Sequence, residues 1–434
     1  MAYYYKSLNI NHMWKGGVHY VGGNFAAAAA RRIVGFNNLS DFKRKVFLRR
    51  PSSAAVSNKG YCSLSQVVSA TPQSNVLNSF NSENEVVNQD LVKREEKDVE
   101  ANNGRVMLID GTSVIYRAYF KLLAKVHHGH LTHADGNGDW VLTIFSALSF
   151  IIDVLGFMPS HAVVVFDHDG VPYGKTSVSP YKTVMEKGTN FRHTLYSLYK
   201  SNRPPTPDTV FQGLPYLKAA IKAMSIKVIE VPGVEADDVI GTLAVNSVKD
   251  GFKVRVVSPD KDFFQILCPS LRLLRIAPLG FEMVSFGMED FAEKYGGLTP
   301  SQFVDVMALM GDKSDNIPGV EGIGVVHAVE LISRFGTLEN LLKCVDQVEG
   351  ESIRKTLKEN ANQAVLSKEL AKLHCELPEY MVPFATTDLI FKKPEDNGEK
   401  FINLLTAVSS YAEGSSADMI IRRASKLWKN LEAR

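Results

Sequence analysis

Three short apolar runs, each leading to an aspartate, constrain the fold of this chain more than any other feature of its sequence. They are residues 106–109 before Asp110, residues 162–166 before Asp167, and residues 254–257 before Ser258, Pro259 and Asp260. Each run is rich in β-branched residues and lacks polar alternation, as central strands of a parallel sheet do. The runs therefore predict an α/β domain with a buried parallel sheet.

Helical patterns lie between these runs, at 140–155, 208–224 and 235–249, and a fourth strand is predicted at 226–231. Strands that alternate with helices predict a twisted, mainly parallel sheet flanked by helices. In such sheets the ligand site lies beyond the carboxyl ends of the strands, where all three aspartates would meet. One aspartate at this place is often only the cap of the next helix, but three together favour a common site.

A second group of acids opens the helix predicted at 235–249. Glu235, Asp237 and Asp238 occupy three of four consecutive positions. Acids at a helix N-terminus are stabilised by the helix dipole by roughly 0.3–1 kcal/mol each, so this segment alone is most simply explained as a helix start. Because the preceding strand ends at the same sheet edge, these acids can also join the aspartates. Glu235 and Asp238 share one face of the helix, and Asp237 lies beside it.

Two further pairs of acids have the spacing to join this group. Asp260 and Asp262 point the same way if the chain stays extended, and Asp312 and Asp315 are three positions apart. We therefore expect nine carboxylates at one edge of the sheet, namely Asp110, Asp167, Glu235, Asp237, Asp238, Asp260, Asp262, Asp312 and Asp315.

Nine carboxylates in one place would repel one another unless cations neutralise them. Oxygen ligands without accompanying histidine favour Mg²⁺ or Mn²⁺ over Zn²⁺. Two such ions about 3.5–4 Å apart can activate a water and stabilise the leaving oxygen of a phosphodiester. The sequence therefore predicts a site for two Mg²⁺ ions, in which Mn²⁺ can substitute.

Positive charge for an anionic substrate is concentrated between residues 175 and 203, where six cations accompany a single acid, Glu186. The run 191–205 interleaves cations with aromatic residues, which can stack on bases while the cations hold phosphates; a solvated basic loop is an equally good explanation of this run. A glycine-rich turn at 317–324, followed by a predicted helix at 325–335, can bind phosphates through backbone N–H groups. This combination predicts a helix–hairpin–helix that follows a duplex backbone.

These motifs together resemble a known family. From residue 105 to about residue 377 the chain resembles the 5′→3′ exonuclease domain of bacterial DNA polymerase I and the related phage 5′ nucleases, and more distantly the flap endonucleases. The matching motifs are LIDGTSVIYRAY (108–119), VVFD (164–167), YKSNRPPTPD (199–208), GVEADDVIGTLA (233–244), DKDFFQ (260–265) and LMGDKSDNIPGVEGIG (309–324). The resemblance implies a PIN-like 5′ nuclease core with a helical arch and a C-terminal helix–hairpin–helix region.

The resemblance also implies roles for individual residues. All nine acids would belong to the metal site, and Lys200 and Arg203 would act on the scissile phosphate from the arch as catalytic residues. Tyr116 and Arg117 would lie near the DNA. With the basic run and the glycine-rich turn, the expected DNA-binding residues are Tyr116, Arg117, Arg192, Tyr199, Gly319, Gly322 and Gly324.

The chain departs from the family pattern in three ways. Residues 168–190 form an insertion at the base of the expected arch, and Val325, Val326 and His327 stand where family members usually carry a lysine. The resemblance is followed by about 60 residues with no polymerase domain, so we expect a stand-alone nuclease. The insertion leaves strand threading open, and the missing lysine predicts a weaker grip on duplex DNA.

The N-terminal region has a different composition from the rest. Its first 60 residues contain ten Lys or Arg and one acid, Asp41, which predicts an organelle transit peptide for a mitochondrion or chloroplast. A disordered basic arm that binds nucleic acid is the alternative. The predicted regions are a transit peptide at 1–60, a disordered linker at 61–104, the nuclease core at 105–300 with arch and insertion at 168–205, the helix–hairpin–helix region at 301–377 and a C-terminal extension at 378–434.

Cysteine and histidine patterns do not favour a zinc site. The four cysteines are widely spaced, which is typical of a reducing compartment. His127, His128, His130 and His133 lie in a glycine-containing segment without cysteine partners and predict a loop. No apolar run reaches the roughly 18–20 residues that cross a bilayer, so no membrane partner is expected. Residues 424–434 predict a basic amphipathic helix that either packs on the protein or contacts DNA.

The sequence therefore predicts a monomeric, two-metal 5′→3′ exonuclease or 5′ flap endonuclease. Its substrates would be DNA with 5′ ends, flaps or nicks, and RNA primers, during organelle DNA replication or repair. Two alternatives stay open, namely a non-catalytic DNA-binding protein that recognises the same structures and an organellar RNase of the same fold. Loss of metal acids would favour the first alternative, and none of the nine is lost. A grip on the sugar-phosphate backbone does not separate DNA from RNA.

Overall fold

The computed structural model of the chain describes residues 104–130, 138–168, 190–276, 283–412 and 414–433, which belong to one compact unit. The predicted transit peptide, the predicted linker up to residue 103, residues 169–189 of the predicted insertion and His133 lie outside the described residues.

The described residues contain six strands: β1 Arg105–Asp110, β2 His161–Val165, β3 Lys227–Ile229, β4 Lys253–Val257, β5 Leu271–Ile276 and β6 Met283–Phe286. They form one sheet in the order β3-β2-β1-β4-β5-β6. Every neighbouring pair is parallel except β5 and β6, which are antiparallel. The predicted α/β fold with a mainly parallel sheet is confirmed.

Helices cover both faces of the sheet and continue into the C-terminal region. In the described residues they are α1 Gly111–His127, α2 Asp139–Leu155, α3 Phe191–Leu195, α4 Asp208–Ala223, α5 Ala236–Lys249, α6 Met288–Tyr295, α7 Phe303–Met310, α8 Val325–Phe335, α9 Leu338–Lys343, α10 Glu351–Glu359, α11 Ala361–Ala371, α12 Glu399–Ser409 and α13 Asp418–Glu432. No helix in the described residues has both the length and the apolar content to span a membrane.

Most predicted elements are confirmed, and the differences have physical causes. The helices predicted at 140–155, 208–224 and 235–249 are α2, α4 and α5, each within one residue at either end. The strand predicted at 226–231 is only β3, because its single partner β2 ends at Val165, opposite Ile229. Beyond that pair, residues 230 and 231 have no strand on which to continue the ladder.

Two apolar layers pack against opposite faces of the sheet, and β1 contributes to both by alternation. Val106 and Leu108 face the layer that contains α5 and the helices from α7 to α11. Met107 and Ile109 face the layer that contains α1, α2 and α4. The C-terminal extension belongs to this second layer, because α12 and α13 pack there through residues such as Trp428. Helix α13 begins six residues before the predicted start at residue 424.

The turn that follows α7 depends on two glycines whose backbones lie against each other. Gly311 and Gly319 have φ angles of +68° and +65°, which favour glycine. A Cβ atom on Gly311 would lie 2.6 Å from the carbonyl oxygen of Ile317. Asp312 and Ile317 exchange backbone hydrogen bonds of 3.0 and 2.8 Å, which closes the loop that carries Asp315.

We predict that Gly311→Ala lowers the free energy of unfolding by about 1–3 kcal/mol, because the new Cβ atom meets backbone in a left-handed conformation. Gly297→Ala is the matched control, since an added Cβ atom there meets no atom within 4 Å and the residue has no positive φ. The control should change stability by less than about 0.5 kcal/mol. Denaturant unfolding of the full chain measures both, and equal losses would contradict the assigned role of Gly311.

Candidate metal centre and nucleic-acid interface

The three strand-end aspartates meet at one edge of the sheet, as predicted. Asp110 is the last residue of β1, Asp167 lies two residues after β2, and Asp260 lies three residues after β4. Because β2 and β4 are the two neighbours of β1, all three side chains come to the carboxyl ends of adjacent strands. Burial raises the pKa of Asp110, and the nearby Asp167 carboxylate adds to this rise.

Each of these aspartates also accepts a hydrogen bond from a backbone N–H. Asp110 caps α1 by accepting from Ser113, and Asp260 accepts from Asp262, at 2.9 and 3.0 Å. Asp167 accepts from the N–H of Ala236 at 2.8 Å, which is the first N–H of α5, a helix that follows a different strand. One oxygen of each side chain is therefore held by a backbone N–H, and at Asp167 this contact fixes the first turn of α5 at the same edge.

Five acids at this edge are close to one another and are called the central acids here: Asp110, Asp167, Asp237, Asp260 and Asp262. Burial, followed by Asp167, raises the pKa of Asp110 to about 6 against the lowering effect of its hydrogen bonds. Burial and then Asp110, Asp260 and Asp167 hold the pKa of Asp237 well above its usual range. Burial and then Asp260 do the same to the pKa of Asp262. The Oδ1 atom of Asp262 is buried without a hydrogen-bond partner.

The other four predicted metal acids have cationic partners and are called the paired acids. The pairs are Glu235 with Lys200 at 2.7 Å, Asp238 with Arg192 at 2.7 Å, Asp312 with Lys261 at 2.9 Å, and Asp315 with Arg203 at 2.5 Å. Burial alone would raise the pKa values of Glu235 and Asp315, but Lys200 lies beside both and lowers them below their usual range. The structure thus divides the nine acids into a repelling set and a neutralised set.

Lys200 and Arg203, the predicted catalytic residues, lie on a turn. Helix α3 spans only Phe191–Leu195, and the residues from 197 to 203 form turns. In the described part of the expected arch, these two residues therefore lie outside α3, and their catalytic roles stay predictions. Lys200 has a φ of +54°, and its backbone N–H donates to the carbonyl oxygen of Asp315 at 2.8 Å. This contact holds the turn against the loop that carries the paired acid.

The charge of Lys200 is fixed by its surroundings. Burial would lower the pKa of Lys200, but Glu235 and Asp315 raise it well above the usual range. Its Nζ atom lies 2.7 Å from Glu235 and 3.6 Å from Asp315. The side chain is therefore a permanent cation at the acidic edge and is unsuited to act as a base near neutral pH.

The central acids have the chemistry of a site for hard divalent cations. Among the described residues, no three His, Cys, Asp or Glu side chains are grouped as a ready-made metal site. The carboxylates nevertheless fit such ions, because they are oxygen donors without histidine, burial and then neighbouring carboxylates raise the pKa values of Asp110, Asp237 and Asp262, and Asp262 has a buried oxygen without a partner. A bound cation would offset the repulsion and satisfy that oxygen. The metal roles of all nine acids stay predictions.

The residues expected to contact DNA have very different environments. Tyr116 donates a hydrogen bond to Thr206 at 3.1 Å, and the Arg117 guanidinium lies 5.2 Å from the centre of the Phe150 ring. Arg192 and Tyr199 are each only 3% exposed, so neither faces solvent as a DNA contact would. The Tyr199 hydroxyl lies within hydrogen-bond distance of the paired acids Glu235 and Asp315.

The glycines of the hairpin also differ from one another. Gly319 is buried, and its N–H donates to the Ser367 hydroxyl at 3.1 Å. Gly322 and Gly324 are exposed, and an added Cβ atom would meet nothing within 4 Å at either position. Gly324 caps α8, so the free N–H groups of that helix start beside open space. Gly319 therefore has a packing role, whereas the exposed pair leaves room for a ligand backbone.

Sequence reasoning missed three residues that organise this edge. The Asn190 side chain donates to Glu235 at 2.6 Å and caps α3, and the Ser258 hydroxyl donates to Asp110 at 2.9 Å. Lys261, which follows β4, pairs with Asp312, which lies in the loop after α7. The position of Lys261 between two acids was a usable signal in the sequence, whereas nothing around Asn190 marks it.

Two models of one protein family match the chain. Residues 175–296 match the model described as the 5′-3′ exonuclease, N-terminal resolvase-like domain, and residues 298–397 match the 5′-3′ exonuclease, C-terminal SAM fold. Together they cover just over half of the chain. The chain belongs to the 5′-3′ exonuclease family. The family resemblance seen in the motifs is confirmed, and the family is one of nuclease enzymes.

The relatives of this exonuclease-family chain are much longer proteins. It is 38% identical over 275 residues to DNA polymerase I of Bacillus caldotenax, which is 63% of this chain and 28% of the polymerase. It is 36% identical over 276 residues to the thermostable DNA polymerase I of Thermus thermophilus, which is 63% of this chain and 29% of that enzyme. The chain therefore spans about three tenths of the length of the curated relatives it matches.

Solved structures give more distant likenesses. The T5 D15 protein co-crystallised with metal ions has a TM-score of 0.48 and 19% identity, over 70% of this chain and 99% of that one. The catalytic core of Rad2 in complex with DNA substrate has a TM-score of 0.45 and 16% identity, over 75% of this chain and 91% of that one.

The central acids predict an unusual dependence of stability on pH. A carboxyl group with a higher pKa in the folded than in the unfolded state destabilises the folded state as pH rises between the two values. For Asp110 this window runs from 3.8 to about 6, and Asp237 and Asp262 extend it upwards. In chelator, the free energy of unfolding should therefore fall by roughly 1–3 kcal/mol from pH 5.5 to pH 8.

Saturating Mg²⁺ or Mn²⁺ should abolish this fall, because the cations bind the ionised carboxylates of the folded state. The lowered pKa values of Glu235 and Asp315 act in the opposite direction but only below pH 5, outside the tested range. Asp237→Asn should flatten the profile in chelator. Denaturant titrations of the full chain measure these profiles, and a flat profile for the unmodified protein would contradict the predicted repulsion.

Proposed function

We propose that the chain is a divalent-metal-dependent nuclease that hydrolyses phosphodiester bonds at free 5′ ends, 5′ flaps and nicks in DNA, and at RNA primers. The observation that carries the proposal is the group of central acids, which are buried or half-buried, repel one another and lie beside two cations on one turn. Family membership supports the same reaction class. A non-catalytic DNA-binding protein would have no need to keep this repulsion in its folded state.

The central acids would hold two ions of the Mg²⁺ type, with Mn²⁺ as a substitute. Bound there, such ions supply Lewis-acid activation of water and charge stabilisation at the phosphate. The protein contributes a fixed arrangement of the carboxylates. Asp110 is held from both sides by Ser113 and Ser258, at 2.9 Å each. Asp167 is held by the start of α5. These contacts prevent the acids from moving apart to relieve their repulsion.

Lys200 and Arg203 would bind the scissile phosphate through charge-assisted hydrogen bonds. In the substrate-free protein, they neutralise Glu235 and Asp315 at the edge of the central acids. A phosphate at that edge would share these cations, and their fixed positive charge would stabilise the charge that develops on the phosphate oxygens. Because Lys200 keeps its proton, its role is electrostatic and requires no covalent protein intermediate.

The exposed glycines at the start of α8 would hold the duplex. Gly322 and Gly324 allow a sugar-phosphate backbone to approach the free N–H groups of the helix. Val325 and Val326 are 46% and 65% exposed, so the first turn of α8 offers apolar side chains in place of a cation. The duplex grip would therefore rest on backbone N–H groups and be weaker than one that includes a lysine.

We predict that the full chain cuts end-labelled 5′-flap, nicked and RNA-primed duplexes in Mg²⁺ or Mn²⁺ but not in chelator. Asp260→Asn and Lys200→Ala should each lower kcat by about 100-fold or more, because each removes fixed charge from the acidic edge. Lys249→Ala is the control, since Lys249 is exposed in the last turn of α5, away from the acids at its start.

The outcomes of this assay separate the candidate functions. Binding of the duplexes without metal-dependent cutting would support the non-catalytic alternative. Cutting confined to the RNA part would support the RNase alternative. An effect of Lys249→Ala as large as that of Asp260→Asn would mean that the acidic edge is not the site of reaction.

We further propose that the chain works as a monomer in a mitochondrion or chloroplast, during DNA replication or repair. The support for the organelle is the basic, acid-poor composition of residues 1–60. A full chain fused at its C-terminus to a fluorescent protein should enter an organelle and be shortened at its N-terminus, whereas a version without residues 1–60 should stay outside. Nuclear accumulation that depends on residues 1–60 would support the alternative of a basic nucleic-acid-binding arm.

A further inference from the structure

A buried ion pair joins three separate parts of the chain. Arg192 of α3 and Asp238 of α5 are 3% and 1% exposed. Their contact is bidentate, with Nη1 donating to Oδ2 at 2.7 Å and Nη2 donating to Oδ1 at 2.8 Å. The same guanidinium donates from Nε to the carbonyl oxygen of Leu370 at 3.0 Å and from Nη2 to that of Lys372 at 2.8 Å. Arg192 thus connects α3, α5 and the segment at the end of α11.

Asp238 is turned away from the central acids. Both of its carboxylate oxygens accept from Arg192, and Oδ1 also accepts from the N–H of His374 at 2.9 Å. Neighbouring positions on a helix differ by about 100°, so Asp237 faces the sheet edge while Asp238 faces α3. A metal ion at Asp238 would have to replace a charged, bidentate partner in a buried site, which is costly.

Helix α11 extends this connection to the glycine-rich turn. Its Gln363 side chain donates to the carbonyl oxygen of Gly319 at 2.8 Å, and its Ser367 hydroxyl accepts from the N–H of Gly319 at 3.1 Å. One turn later, Leu370 presents its carbonyl oxygen to Arg192. A single helix therefore holds the proposed duplex-binding turn at one point and the buried arginine at another.

We propose that Arg192 and Asp238 are positioning residues that couple the glycine-rich turn to the acidic edge and touch neither DNA nor metal. Arg192 lies eight residues before Lys200. The ion pair between Arg192 and Asp238 therefore also anchors the segment that carries the proposed phosphate-binding cations. Asp238 anchors the first turn of α5 and thereby the direction of Asp237. The inference rests on the proposed nuclease function and changes the roles that the family resemblance implies for these two residues.

Metal binding without DNA tests the role of Asp238 independently of activity. Mn²⁺ is titrated into the full chain, and bound ions are counted by calorimetry and electron paramagnetic resonance. Asp238→Asn, combined with Arg192→Gln so that no unpaired charge is left buried, should bind as many ions as the unmodified protein, with Kd within about threefold. Asp237→Asn, the adjacent control, should lose one ion or weaken binding at least tenfold. Equal losses in both variants would overturn the inference, whereas an unmodified chain that binds no Mn²⁺ would refute the proposed function instead.

The salt dependence of DNA binding tests the role of Arg192. The double variant Arg192→Gln/Asp238→Asn leaves no unpaired buried charge and keeps hydrogen-bonding groups on both side chains. Measured in chelator on a nicked duplex, its slope of log K against log salt should equal that of the unmodified protein. Loss of a phosphate contact would make this negative slope less steep by about 0.9, which is the result expected for Arg117→Gln. The same decrease in the double variant would make Arg192 a DNA contact and overturn the inference.

The reaction itself gives a further readout of positioning. Arg192→Lys keeps the charge but cannot make the bidentate contact, so kcat should fall about tenfold with KM unchanged, and the cut should spread over neighbouring phosphates. The double variant, which keeps a neutral hydrogen-bonded pair, should restore part of kcat. Full activity and a single cut position in the lysine variant would show that the bidentate contact between Arg192 and Asp238 does not position the proposed reaction site.

Discussion

Mutual repulsion among the central acids is the interaction on which the rest of this structure depends. Two carboxylates about 4 Å apart repel by on the order of 1 kcal/mol in water and several times more near a protein surface, where the effective dielectric is lower. Burial is the largest cause of the raised pKa values of Asp110, Asp237 and Asp262, and repulsion by neighbouring carboxylates adds to it. A fold that retains this repulsion needs firm supports, here the strand ends and the hydrogen bond that joins Asp167 to α5.

The protein neutralises part of the negative charge at this sheet edge with its own cations. Lys200, Arg203 and Lys261 neutralise paired acids, while no central acid forms an ion pair with a protein cation within the described part of the chain. This arrangement separates two tasks. The paired acids hold the turn and loops that carry the cations, and the central acids remain available to ions from solution. A phosphate that approaches the edge meets both kinds of positive charge.

The sequence predicted the sheet and the convergence of its strand-end aspartates, because short β-branched runs followed by acids allow few other folds. It did not predict the antiparallel β6, which pairs only with β5 at the sheet edge. Nor did it identify which acids are paired, because pairing depends on long-range neighbours. Arg192 and Asp238 are 46 residues apart, and Lys261 meets Asp312 from a different loop. The basic run therefore suggested DNA contact for an arginine that is buried.

The first turn of α5 shows how neighbouring acids acquire different roles through helix geometry alone. Glu235 is the N-cap residue and turns towards Lys200, Asp237 faces the other central acids, and Asp238 faces Arg192. The helix dipole favours all three, but by amounts too small to explain why one of them is buried and two are half-buried. Because of these three directions, one short segment contacts the turn that carries Lys200, the proposed metal site and, through Arg192, the helix α11 that holds the glycine-rich turn. A small rotation of this turn would disturb all three contacts together.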